Sequence, residues 1–158
     1  MGDVFLNMGR NRAARKIVGM LGVNTPQVLE RLDGPWVDQP LAGRTVGFGA
    51  AAGGTVSTLQ GLLEAAGATC QEEVGEDKVN GLVFDATGIS NVDELRALYD
   101  FFHPRIRGLK ACGRVVVLGR NALDSEDAAL AAASHALIGF VKSVAKEAVS
   151  YTHLRAHE

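Results

Sequence analysis

The run Gly47-Phe48-Gly49-Ala50-Ala51-Ala52-Gly53-Gly54 is the stretch of this chain whose composition best suits phosphate chemistry. Gly47, Gly49 and Ala52 satisfy a loose G-x-G-x-x-A pattern. In such a pattern small residues allow a tight turn and let backbone N–H groups approach a pyrophosphate at a helix N-terminus. The same composition serves wherever a strand packs closely on a helix, so both readings stay open. Asp85 follows the apolar run Gly81-Leu82-Val83-Phe84. It could meet a ligand from the carboxyl end of a strand, or act as a turn carboxylate that accepts from backbone donors. Glu72 and Glu73 stand where an acid selecting a ribose would be sought, and read as exposed loop charges. Cys70 and Cys112 lack C-x-x-C spacing, which indicates neither zinc nor a disulfide framework. His153 and His157 are four apart with no third ligand nearby, so no metal site is expected.

The elements that must position these residues are legible from Thr45 onward. Residues 45–49 form a short β-rich run. Residues 55–67 read as a helix with Val56, Leu59, Leu62 and Leu63 on its apolar face, ended by Gly67. Residues 68–74 are a weaker strand. Residues 81–87 and 114–119 are continuous apolar runs, which suit strands buried on both faces of a parallel sheet. Ser90 and Asp93 have capping-box-like spacing ahead of a helix whose face is Leu95, Leu98, Phe102 and Ile106, with Pro104 expected to kink or interrupt it. A final helix is expected from about Asp127 to Ala148. About a dozen residues separate Cys70 from Leu82, too few for two more helices and a strand. The expectation is therefore an α/β, Rossmann-like or flavodoxin-like three-layer parallel sheet, ordered 2-1-3-4, with the last strand missing.

Residues 1–43 read as an N-terminal extension: a short helix over 11–22, then a segment punctuated by Pro26, Pro35 and Pro40, in which Trp36 is expected to pack down. Residues 44–149 are the sheet domain. Residues 150–158, Ser-Tyr-Thr-His-Leu-Arg-Ala-His-Glu, resemble a translated cloning adapter and are expected to be an artefactual tail. At 158 residues with 47% apolar and 22% charged side chains, the chain suits one soluble domain. Its net charge of −2 gives no reason to expect nucleic acid, and the cluster Arg10, Arg12, Arg15, Lys16 reads as a solvated helix face. No uninterrupted apolar run approaches ~18 residues, so no membrane span is expected, and the reduced cytoplasm is the expected location.

Residues 43–68 resemble, without gaps, the T-G-x-x-x-G-x-G region of the short-chain dehydrogenases. In that register Gly49 stands for the Thr, Ala50 for the first Gly, Gly54 for the second and Val56 for the third. The resemblance thus implies a degenerate loop (Gly47, Gly49, Gly53, Gly54), with a valine where the backbone should approach a phosphate. Residues 134–148, Ser-His-Ala-Leu-Ile-Gly-Phe-Val-Lys-Ser-Val-Ala-Lys-Glu-Ala, resemble the downstream part of the family's catalytic helix. Laid over it, Leu130 falls on the Tyr and Ser134 on the Lys. Residues 113–122 resemble the segment carrying the family's Ser, whose position is Arg120. The resemblance therefore implies no catalytic residues: leucine has no proton to give, and general acid-base assistance is typically worth ~10² to 10⁴ in rate. Tyr99, His135 and Tyr151 are the remaining donors. Tyr99 is expected to pack, His135 to point about 100° away from Ser134, and Tyr151 belongs to the tail.

Taken together, Leu-Tyr-Asp-Phe-Phe-His-Pro at 98–104, Gly-Arg-Val-Val-Val-Leu-Gly-Arg at 113–120 and the final helix make residues 10–148 similar to the N-terminal domain of the high-molecular-weight 3-oxoacyl-acyl-carrier-protein reductases. This resemblance implies a truncated piece, a noncatalytic structural and interaction domain lacking a working nucleotide loop, ahead of a catalytic domain that reduces 3-oxoacyl thioesters. The parent enzyme would use NADH or NADPH, while this chain would hold no cofactor. Its partners would be the catalytic ketoreductase domain or another copy, docked through helices at 91–109 and 127–148. The alternative is an active oxidoreductase domain binding NAD(P)H through Gly47–Gly54.

Overall fold

The structure, a computed structural model, describes residues 34–72 and 78–154, with side chains as far as Lys146. The chain divides into two compact units, Met1–Pro35 and Trp36–Glu158. Of the first, only Gly34 and Pro35 fall among the described residues, so the expected helix over 11–22 and its basic cluster lie outside them, as do Glu73, His157 and the side chains of Tyr151 and His153.

The second unit is a parallel α/β sheet between helices. Its elements are β1 (Thr45–Ala50), α1 (Val56–Ala65), β2 (Thr69–Gln71), β3 (Val79–Asp85), α2 (Arg96–Arg105), β4 (Leu109–Leu118) and α3 (Ala128–Leu154). The strand order is β2-β1-β3-β4, as the spacing of the apolar runs predicts, and every pairing is parallel. Register is set through β1, where Gly47 lies opposite both Gln71 and Leu82, and through β3, where Phe84 lies opposite Gly49 and Val117.

Side chains alternate across the sheet and divide the core in two. On one face Leu82 and Phe84 of β3 pack with Leu98, Phe101 and Phe102 of α2 and with Ala133 and Leu137 of α3. On the other, Val46, Phe48 and Val83 pack with Leu59 of α1 and Ala68. The aromatic residues join the first layer. Ring centroids of Phe84 and Phe101 are 4.9 Å apart, Phe101 and Phe102 4.8 Å, and Phe102 and Phe140 5.3 Å. Each of the buried rings Phe84, Phe101 and Phe102 contributes ~1.5–3 kcal/mol by leaving water.

Helix ends follow from identifiable residues. Gly67 takes φ +90, and the turn closes with Gly67 N–H donating to Glu64 O and Ala68 N–H to Leu63 O. A Cβ on Gly67 would meet Gln39 and Ala42, because residues 39–44 run against this end of α1: Leu41 N–H donates to Ala66 O at 2.9 Å. Ahead of α2 the expected Ser90–Asp93 box is shifted. Asn91 Oδ1 accepts from the Asp93 and Glu94 amides, while Glu94 Oε2 accepts from Ser90 N–H at 2.7 Å. The reason is reach, since Glu has the extra methylene that Asp93 lacks. Pro104 is the penultimate residue of α2, and the chain passes into a 3₁₀ turn at Ile106. There the Arg105 guanidinium donates to the Phe101 carbonyl and lies over the Phe101 ring.

Several side chains depart from expectation. Trp36 is 87% exposed and does not pack its segment down, and Leu62 is exposed because Val56, Leu59 and Leu63 complete the face of α1 that meets the sheet. Tyr99 is more than half exposed and stacks on His103, one turn along α2. β4 is buried on one face only. Val115 and Val117 pack on the α2/α3 side, whereas Val116 and Leu118 on the opposite side are 43% and 41% exposed, beyond the reach of α1. α3 continues to Leu154, past Ala148, and no Gly or Pro in residues 147–154 stops it. By length and composition, Ala128–Lys146 is the one helix among the described residues long and apolar enough to cross a membrane. Ser134, His135 and Lys142 interrupt its apolar runs, which is why a count of consecutive apolar residues misses it. Its packed stripe, Ala133 and Leu137, belongs to the sheet core, and a core helix passes the same test.

Candidate functional site

In open parallel sheets ligands bind outside the carboxyl ends of the strands, where neighbouring connections diverge. Here that point lies between β1 and β3. The loop after β1 carries Ala51 to Thr55 into α1, and the loop after β3 carries Ala86 to Ile89. Backbone bonds fix both loops. Ala51 N–H donates to Asp85 O at 2.9 Å, Gly54 N–H to Ala51 O at 2.9 Å, and Ala86 N–H to Leu118 O at 2.8 Å.

Asp85 sits at the centre and is 2% exposed. One carboxylate oxygen, Oδ2, accepts from Thr55 N–H at 2.9 Å and from Thr55 Oγ1 at 3.2 Å. The other, Oδ1, accepts from Thr87 N–H at 2.9 Å and from Thr87 Oγ1 at 2.6 Å. Burial pushes the carboxyl pKa up, but the hydrogen bonds from Thr87 and Thr55 together outweigh it and hold the group below its ordinary value. The side chain is thus an ionised internal anion that ties the two loops together, and its Oδ2 occupies the amide of Thr55, the residue that precedes α1.

The glycines of the loop have structural duties. Gly47 is buried in mid-strand between Gln71 and Leu82. A Cβ on Gly49 would stand 2.7 Å from Phe101 Cε2, so this glycine makes room for the aromatic layer. Gly53 has φ +81 and turns the loop. A Cβ on Gly54 would fall 2.8 Å from Ala50 Cβ and 3.2 Å from Asp85 Oδ2. Opposite them, a Cβ on Gly88 would overlap the Ala52 carbonyl. Val56, expected to obstruct a phosphate, packs beneath the loop among Val46, Phe48 and Leu59. The Asp85 carboxylate lies at the same loop, on the Thr55 amide.

Beside this junction a shallow depression is lined by Ala51, Ala52, Ala97, Asp93, Glu94, Asp100 and Arg96. Arg96 pairs with Asp100 at 3.6 Å. Ser90 N–H and hydroxyl hold the Glu94 carboxyl below its ordinary value. Three carboxylates against one guanidinium set a potential that repels a phosphate. A pyrophosphate approaching this end of α1 would find the Thr55 amide already held by Asp85 and would face like charge.

The positions corresponding to a short-chain Ser and Tyr lie together. Arg120, exposed beyond the end of β4, and Leu130, half-buried in the first turn of α3, line one open depression of about 420 Å³ with Asn121, Asp124 and Ser125. None of these five is a tyrosine, histidine, lysine or cysteine. Asn121 Oδ1 accepts from Leu123 N–H, and the Ser125 hydroxyl donates to the Asp127 carbonyl, so both serve the local turn. Ser134 is buried one turn beyond Leu130, beside Ala133, while His135 faces outward. Tyr99 is on α2 and does not line this depression.

Among the described residues no group of three or more His, Cys, Asp or Glu is placed to hold a metal ion. Cys70 is on β2 and Cys112 on β4, with β1 and β3 between them, a separation of roughly 14 Å at ordinary strand spacing. That is far outside disulfide range.

Thr55 and Thr87 are functional partners that sequence reasoning misses. Asp85-Ala86-Thr87 carries a local signal, since Asp commonly accepts from the amide two residues on. Thr55 is thirty positions away and carries none. Comparison of the chain with protein-family models and with curated proteins returns no match.

Proposed function

We propose that this chain is a noncatalytic structural and interaction domain of a ketoreductase-type polypeptide. The 3-oxoacyl thioester chemistry and the NADH or NADPH would belong to a separate short-chain catalytic domain. The observation that carries this reading is Asp85: its carboxylate takes the Thr55 amide at the helix N-terminus, where a nucleotide-binding loop keeps its amide for phosphate. The absence of Tyr, His, Lys and Cys from the five residues lining the depression at Arg120 and Leu130 supports the same reading, because the Tyr and Lys of a short-chain reductase have no counterpart among them. Docking is assigned to the outer faces of α2 and α3. On α3, Ile138 is 52% exposed, Val141 is also exposed, and Gly139 faces open space, so a second helix can approach closely.

Fluorescence titration of the purified chain with NADH, NADPH and FMN tests the noncatalytic part. No saturation below the millimolar range is expected, and micromolar binding of either nicotinamide overturns the assignment. Docking is tested by sedimentation of the chain alone and mixed with a short-chain ketoreductase domain, against an Ile138→Glu variant. Association that Ile138→Glu weakens at least tenfold is expected. A wild-type chain that neither self-associates nor binds the added domain refutes the interaction role.

A further inference from the structure

No further inference is drawn: the strongest candidate, the uncovered face and outer edge of β4 carrying Val116 and Leu118, is an unpartnered apolar surface, and nothing in the structure shows what covers it.

Discussion

Replacing Asp85 with asparagine isolates the part played by the buried anion. An amide has the same outline as the carboxylate but only one acceptor oxygen. Whichever way it is turned, its NH₂ faces either Thr55 N–H and Oγ1 or Thr87 N–H and Oγ1. The threonine hydroxyl can rotate away, whereas the backbone N–H cannot and is left without an acceptor, at about 1–3 kcal/mol. The bonds that survive lose their charge, which takes roughly another 1 kcal/mol from the pair. The expected loss is therefore about 3 kcal/mol, or roughly 10–15 °C in Tm for a unit of this size. Urea unfolding followed by far-ultraviolet circular dichroism reads it as a lower midpoint with unchanged slope. The pH dependence adds a second check. The folded carboxyl titrates below its ordinary 3.8, so on acidification the unfolded chain takes up this proton first. The stability due to Asp85 is complete well above pH 3.8 and is lost as pH falls through the folded value. The gap between wild type and Asp85→Asn should close over that range. A gap under about 0.5 kcal/mol at neutral pH, or one that does not narrow in acid, would refute the clasp.

Gly49→Ala should cost about 1–3 kcal/mol through its clash with Phe101, and the penalty should shrink in a Phe101→Leu background. Equal penalties in both backgrounds, measured by a double-mutant cycle in urea, would contradict the assignment. Gly88→Ala should reach or exceed the upper end of that 1–3 kcal/mol range, since the atom it meets is the Ala52 backbone carbonyl. Hydrogen exchange should then show faster opening of both loops, and unchanged protection would count against their contact. Val116→Thr should stay within about 0.5 kcal/mol of wild type, whereas Val83→Thr, on the covered part of the same face, should cost more than ~1 kcal/mol. Equal costs would mean that β4 is covered in solution.

Much of the fold is legible in local pattern because the elements are long compared with their periods. The run at 81–84 is apolar throughout and belongs to a strand buried on both faces. Leu98, Phe102 and Gly67 do what their spacing implies, two facing the core and one ending a helix. The run at 115–118 is equally continuous in apolar residues but has only one covered face. Burial depends on which helix lies opposite, and that is a property of the sheet as a whole. Trp36 fails for a similar reason: its size favours cover, but among the described residues no neighbour supplies any.

The candidate site divides along the same line. Residue types alone establish that Leu130 cannot donate a proton and that the Gly47–Gly54 loop can approach another backbone closely. What that loop approaches is decided only in three dimensions. Gly49 admits Phe101, and the helix amide receives Asp85, both from segments distant in sequence. Periodicity and turn chemistry act between near neighbours, so one dimension specifies strands, helices and their ends. The occupant of a cradle is specified by distance in space, and a carboxylate thirty residues away reaches the Thr55 amide only after β1 and β3 have paired.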